Sequence, residues 1–428
     1  MNSTSPAPAA GSDLPPERIA YLCGEYPRAT DVFIQREVRA LREAGLHVRT
    51  ISVRRPQTGE KPLDPDNEEA HRTTYLLPTG PLRLLAAHGR TLLAGPGRYF
   101  RAIWLASKVR APGLRALLYQ LFYFSEAGLV ADIMRREHLV HLHNHAPDSS
   151  GFVAMIAAEM GGFTFSMTLH GHGILSEPSR WRLREKLQRA LFTICVSWHA
   201  RSQAMLWSPR ETWQKFHVVH CGVDLAEPRP PRTNPAGSRL AFVGRLDHVK
   251  GLPILLDAVA VLAESRPDIQ LDIVGDGPER ADLQTLAVES GIAEKVIFHG
   301  YLRQPEIRQL LAQADVFVMT SLAEGIPVVL MEAMAAAVPV VAPRITGIPE
   351  LVEHGRSGLL YAPASTAELV ASLATLLDDR TLARSLADSG LGVVNREFDL
   401  DAETRRLVTV MRMRLAGKTA DARPSLAH

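Results

Sequence analysis

The chain of 428 residues has only three cysteines, Cys23, Cys195 and Cys221, far apart and without a CxxC pair. That excludes a disulfide framework and gives no support to a structural zinc site, and it fits a reducing, cytoplasmic setting. It has almost no charge excess: 48 Lys plus Arg against 46 Asp plus Glu leave a net charge of +2. A nucleic-acid coat protein would carry a large positive surplus. It also lacks a run long enough to cross a bilayer. The longest apolar stretch, residues 326–342, is 17 residues and contains Glu332 and two prolines, short of the ~20 apolar residues a span needs. Residues 1–16 are Ser, Pro, Ala and Gly without the apolar centre of a signal peptide. What is present is ordinary for a globular protein: 46% apolar and 22% charged residues, in a length that predicts two or three domains.

The pattern starts with an apolar run at 18–23 and a loop from Gly24 to Thr30. A helix is predicted over 31–44, with Phe33, Ile34, Val38 and Leu41 at helical spacing and Gly45 as its stop. A strand at 47–53 completes a βαβ unit, the building block of parallel sheets. Residues 54–78 read as a polar loop. Between 79 and 125 stand seven basic residues (Arg83, Arg90, Arg98, Arg101, Lys108, Arg110, Arg115) and no acidic one, among Leu, Trp, Phe and Tyr. These are basic amphipathic helices that either meet anionic lipid headgroups or cover a sheet with their Arg stems along apolar surface. Short strands follow at 139–143, 164–169 and 193–197. Four prolines mark 225–238 as a linker. The alternation then restarts, with strands at 240–243, 271–274, 296–299, 316–320 and 338–342 and helices at 253–264, 279–289, 305–313, 327–337 and 348–354. A last helix is read at 401–415. The fold class is α/β, two doubly wound Rossmann-like domains facing an interdomain cleft, where ligands of such sheets bind.

One stretch carries the most chemistry: Glu324-Gly325-Ile326-Pro327, with Glu332 further on. Proline suits a first helical turn, and Gly325 ahead of it lets a ligand approach the backbone. Free N–H groups at such a helix start favour an anion. Two carboxylates beside an anion site repel phosphate, so their partners would be sugar or ribose hydroxyls. The plainer alternative is one dipole-satisfying Glu and one solvated helix Glu, but Glu332 sits in an apolar helix where an unpaired charge is costly. The second stretch, Gly244-Arg245 to Lys250-Gly251, follows a strand and puts two cations in one loop, enough to neutralise a diphosphate. Its glycine spacing fits neither a Walker A loop nor a GxGxxG fingerprint.

Together these residues resemble the retaining glycosyltransferase family 4, of GT-B fold. Glu324 and Glu332 match its E-x7-E signature, Gly244-Arg245 to Lys250-Gly251 its donor-diphosphate loop, Gly275-Asp276-Gly277-Pro278 its VGDGP turn and Gly222-Val223-Asp224 its segment before the linker. Residues 345–361 continue the match. Tyr26-Pro27 through Phe33-Ile34 to Glu37 resembles the "FP…SETFI…E" pattern of members that build exopolysaccharides and lipopolysaccharides. The resemblance implies that Arg245 and Lys250 hold the donor diphosphate, that Glu332 binds ribose, and that Glu324 with Gly325, Ile326 and Pro327 contacts the transferred sugar and phosphate. Gly244, Gly275 and Gly277 join the donor site. His170 matches the active-site histidine, although Gly173 stands where the pattern usually has Asp. Gly24, His143, His145 and His172 are acceptor-side candidates. The catalytic set is then His170, Glu324, Arg245 and Lys250.

No metal and no cofactor is expected: Asp64-Pro65-Asp66 imitates a metal motif in an acidic loop, not after a strand, and the donor-loop cations make a bridging metal unnecessary. The domains run 1–16 (disordered tail), 17–224 (acceptor-binding), 225–238 (linker), 239–396 (nucleotide-sugar-binding), 397–417 (a helix that, in this fold, crosses back to the first domain) and 418–428 (disordered tail). The implied activity is transfer of a sugar, with retention, from a UDP- or GDP-sugar to a glycan or polyprenyl-linked acceptor in cell-surface polysaccharide synthesis. The implied place is the cytoplasm, peripheral to an anionic membrane through residues 79–125, with no nucleic acid involved. A GT-B-like sugar-nucleotide epimerase and a non-catalytic nucleotide-sugar-binding subunit are the competing readings.

Overall fold

The computed structural model describes residues 17–28, 32–56, 68–171, 173–226, 229–233 and 237–425. The expected tail 1–16, His172 and Asp64-Pro65-Asp66 lie outside them. Among the described residues, thirteen strands form two sheets, parallel throughout. The first holds β1 (Arg18–Glu25), β2 (His47–Arg54), β3 (Thr74–Tyr75), β4 (His141–His145), β5 (Thr164–Leu169), β6 (Thr193–Cys195) and β7 (Phe216–Val218), in the order β3-β2-β1-β4-β5-β6-β7. The second holds β8 (Arg239–Val243), β9 (Gln270–Val274), β10 (Val296–Gly300), β11 (Val316–Val318), β12 (Val340–Pro343) and β13 (Leu359–Tyr361), in the order β10-β9-β8-β11-β12-β13. Strand order reverses between β1 and β4 in one sheet and between β8 and β11 in the other. Those switch points are where open α/β sheets bind ligands. The loops that follow β8 and β11 are the two stretches the sequence marks for donor chemistry.

Helices cover both faces of each sheet, so the strands read as apolar runs rather than alternating ones. Ile19, Ala20, Tyr21 and Leu22 of β1 are all buried. Separate apolar clusters fill the two halves, one around β1, β4 and β5 and one around β8, β9 and β11. The predicted elements recur with ends moved by a few residues. The helix read as 327–337 is Val328–Ala335, and that read as 348–354 is a single turn, Ile348–Leu351. The stretch read as a polar loop contains a short helix, Glu68–Arg72, and the edge strand β3. Helices Thr366–Asp378 and Arg380–Glu397 and the strands β7 and β13 go beyond the sequence reading.

The chain crosses between the halves twice, side by side. Val223 N–H donates to the Phe398 carbonyl at 2.9 Å and Leu400 N–H to the Val223 carbonyl at 3.1 Å. The final helix, Leu400–Leu415, then buries Leu407, Val408, Val410 and Met411 against Ile34, Val38 and Leu41 of the first half. The tail expected from 418 onward is corrected: its described part, to 425, is packed. Arg423 pairs with buried Glu403 at 2.9 Å, and the Asp421 carbonyl accepts from His217 Nδ1 at 2.8 Å.

Candidate active site

The donor loop is held by backbone before it meets any ligand. After β8, Gly244 N–H donates to the Val274 carbonyl at 2.9 Å, and Leu246 N–H to the Asp276 carbonyl at 3.0 Å. The loops 244–247 and 275–279 lie so close that a Cβ on Gly275 would stand 1.8 Å from the Gly244 carbonyl oxygen. On Gly277 it would stand 2.2 Å from that of Leu246. Both glycines are therefore required by loop-on-loop packing, whatever binds beside them. The loop ends at Gly251, in the left-handed region at φ +61, ahead of helix Leu252–Ser265.

Lys250 and Glu324 meet. Lys250 Nζ lies 2.6 Å from Glu324 Oε1, the pair mostly shielded from water. Backbone ties the same two loops: Leu322 N–H donates to the Val249 carbonyl at 2.7 Å and Thr320 Oγ1 to that of Lys250 at 2.9 Å. Arg245 is half exposed, with Asp247 at 3.6 Å. Pro327 caps helix Val328–Ala335, and Ile326 is buried.

Glu332 departs from the sequence picture. Its carboxylate does not join the cationic loop; it pairs across the domain gap with Arg36, at 3.1 Å, on helix Val32–Glu43 of the first half. Burial pushes its pKa up, and Arg36 opposes that. Asp224, Gln304, Arg308, Arg36 and Glu332 line a cavity of about 110 Å³ there. Two carboxylates gripping one anion site is thus not the arrangement found: Glu324 engages Lys250 and Glu332 engages Arg36. No local signal in the sequence names Arg36, because it lies almost three hundred positions away.

The halves touch at glycines. Gly325 is packed on the first half so tightly that a Cβ would stand 2.0 Å from the His170 carbonyl oxygen, and one on Gly171 would meet Gly325 Cα at 2.5 Å. Glu350 makes a second seam. Its carboxylate accepts from the Trp198 and His199 N–H groups at 2.8 and 2.7 Å, at the start of helix Trp198–Leu206. Helix starts favour such a charge. Glu350 falls within the matched stretch 345–361, but nothing local in the sequence points to this contact.

His170 follows β5 and is half-buried beside this seam. Its Nε2 lies 2.9 Å from His145 Nδ1, and His145 Nε2 lies 3.0 Å from Glu37 Oε1. That same oxygen accepts from Tyr21 OH at 2.8 Å. A carboxylate only accepts, so a singly protonated His145 carries its hydrogen on Nε2 and accepts at Nδ1. His170 then carries its own on Nε2, and its Nδ1 lone pair faces Cys221 Sγ at 3.9 Å. Burial, and then His145, hold the His170 pKa well below its ordinary value, so the ring is an uncharged acceptor at neutral pH.

His143 lies on the same face of β4 two residues deeper. Both its nitrogens are taken, by Ser166 Oγ at 2.7 Å and Thr168 Oγ1 at 2.8 Å, so as an acceptor-side residue it is corrected to a satisfied interior histidine. Glu37, His143 and His145 bring ligand atoms within 4.8 Å of one another, but every ring nitrogen in the group is already hydrogen-bonded. Gly24, at the carboxyl end of β1, has open space where a side chain would stand, and so does Gly173.

Comparison with known proteins bears on the fold and the family. Residues 227–391 match the family model "Glycosyl transferases group 1", so the second half carries a glycosyltransferase group 1 domain. The chain is 27% identical over 423 residues to the putative colanic acid biosynthesis glycosyltransferase WcaL of Escherichia coli, covering 92% of this chain and 99% of that one. It is 34% identical over 179 residues to the amylovoran biosynthesis glycosyltransferase AmsK of Erwinia amylovora, covering 40% of this chain and 44% of that one. The crystal structure of Anabaena HepE in complex with UDP and glucose superposes with a TM-score of 0.68 at 19% identity, over 92% of this chain and 100% of that one. The fold is GT-B.

Proposed function

We propose that the protein is a retaining glycosyltransferase of family 4. It moves a sugar from a nucleotide-diphosphate sugar, UDP- or GDP-linked, to a hydroxyl of a glycan or polyprenyl-linked acceptor, in cell-surface polysaccharide synthesis on the cytoplasmic side of an anionic membrane. One observation carries the reading. The Lys250–Glu324 pair, 2.6 Å apart, sits one residue from the point where Gly325 meets His170, so donor-side charge and acceptor-side histidine share one seam. The exopolysaccharide names of the relatives and the UDP in the HepE crystals support the donor class and the pathway class.

In this reading Lys250 and Arg245 neutralise charge that develops on the leaving diphosphate, where fixed cations act most strongly. The donor diphosphate competes with Glu324 for Lys250 and frees that carboxylate for sugar hydroxyls. Glu332 takes the ribose hydroxyls once Arg36 yields. The acceptor hydroxyl enters beside His170, attacks on the face the diphosphate leaves, and gives its proton to a donor phosphate oxygen. The closed seam excludes water and so suppresses hydrolysis. No metal takes part.

A thermal-shift screen of nucleotides and nucleotide sugars tests the donor, since a ligand of the folded state stabilises it by mass action. One UDP- or GDP-sugar is expected to raise Tm, and Lys250→Ala to abolish both that shift and transfer while the fold survives. Full transfer activity in Lys250→Ala, or no shift with any nucleotide sugar, overturns the reading.

A further inference from the structure

Three helices inserted between β3 and β4, Pro81–Ala94, Pro96–Val109 and Leu114–Arg136, carry a surface unlike the rest of the molecule. Among the described residues twenty large apolar side chains are exposed, and twelve of them lie between 82 and 122. Leu93 is 84% exposed, Phe100 63%, Trp104 57% and Phe122 60%. The helices are packed on one another through His88, Tyr99 and Phe124, so these residues belong to one cap. An apolar patch of this kind on a monomer marks an interaction surface.

The charges say what covers it. Arg90 and Arg101 are ion-paired with Asp132 and Glu159. Arg83, Arg98, Lys108, Arg110 and Arg115 have no carboxylate partner among the described residues. Lys108 Nζ lies 4.9 Å from the exposed Trp104 ring and the Arg115 guanidinium 5.6 Å from that of Tyr119. Aromatic rings with cations beside them are the pattern of a membrane–water interface. A second copy docked across a two-fold axis would set like charges against each other.

The cap is joined to the cleft. Glu126, where helix Leu114–Arg136 becomes buried, meets Arg54 at the carboxyl end of β2, 3.8 Å away. The twelve residues before it therefore run about 18 Å beyond the sheet edge on the cleft side. Arg182, in the segment that follows His170, donates to the Val109 and Arg110 carbonyls at 3.1 and 3.0 Å.

We infer that this cap seats the protein on an anionic bilayer, with Phe100, Trp104 and Phe122 at the headgroup level, and that it sets the acceptor side of the cleft against the membrane, where a lipid-linked acceptor arrives. The inference rests on the proposed transfer only for the identity of the acceptor; bilayer binding stands apart from it.

The test is sedimentation of the full chain with phosphatidylcholine vesicles, with and without phosphatidylglycerol. Binding is expected only with the anionic lipid and is expected to fade with salt. Arg110→Gln and Arg115→Gln should each weaken it about fivefold, and Phe100→Ser with Trp104→Ser should abolish it. Nucleotide-sugar binding and Tm should be unchanged in all of them. Equal binding by these variants, or none by the native chain, overturns the inference. So does a native dimer in solution that the Phe100→Ser, Trp104→Ser variant dissolves, which would make the cap a protein interface. Loss of donor binding with intact vesicle binding would instead remove the proposed activity and leave the membrane surface standing.

Discussion

Gly325→Ala is the most direct probe of the seam. The added Cβ would stand 2.0 Å from the His170 carbonyl oxygen and 3.1 Å from its carbon. Both neighbours are backbone, so no side chain can swing aside. Relief requires the halves to part by at least about 1 Å before the contact reaches an ordinary separation. Parting the halves also stretches the Glu350 hydrogen bonds to Trp198 and His199, so stability should fall by about 1 kcal/mol. Donor binding, which the proposed function assigns to the second half, should persist. What is lost is the register between Glu324 and the acceptor that the proposed function places beside His170, and a 1 Å misplacement costs about 100-fold in rate. The expected result is therefore a kcat lowered about 100-fold, a donor Kd within a few-fold of native and a Tm lowered by a few degrees. The assay is release of nucleotide diphosphate with acceptor present, beside calorimetric donor binding. A native kcat in Gly325→Ala would refute the claim that this closed contact is the reacting arrangement.

Glu350→Ala leaves the Trp198 and His199 N–H groups to water and should lower stability by about 1 kcal/mol; it should also widen the molecule in small-angle scattering, and an unchanged radius would show that Glu350 does not hold the halves together. Glu37→Leu removes the acceptor that fixes His145, so His170 should populate both tautomers, whereas Glu37→Gln keeps an acceptor and the native pattern. Nitrogen NMR of labelled histidine reads this directly, and a native pattern in the Leu variant refutes the chain of positioning. Burial lowers His141 and His220 to about 3, so below about pH 6.5 the unfolded chain takes up protons that the folded chain refuses. Stability should be full above pH 6.5 and fall as the pH drops toward 3, by roughly 2 kcal/mol per histidine at pH 5. Denaturant melts from pH 7 to 4 check it, and a flat profile is the contrary result.

What was legible in the sequence was local. The cations of the 244–251 loop and the Glu324–Pro327 turn announce themselves within a dozen residues, because a strand, a glycine and a helix start must follow in that order to present backbone N–H groups. Partners distant along the chain left no such mark. Arg36 for Glu332 and the Trp198 helix start for Glu350 are each set by how the halves dock. The three-residue strands β7 and β13 are too short to show a period, and residues 418–425 look polar and free until Arg423 finds a buried carboxylate.

His143 shows how a local rule can be pressed further than it was. The alternation in His141-Leu142-His143-Asn144-His145 puts three histidines on one face of β4. It does not say which of them reaches the cleft, but the parallel sheet does. Ligands lie beyond carboxyl ends, so only the last, His145, can reach His170, while His143 sits about 6.6 Å deeper and must find its partners inside. It finds Ser166 and Thr168, which occupy the matching face of β5 at the spacing of two that such pairing demands. A polar side chain repeated on both of two neighbouring parallel strands is thus a signature of a buried network, and the member at the carboxyl end is the one to test for chemistry.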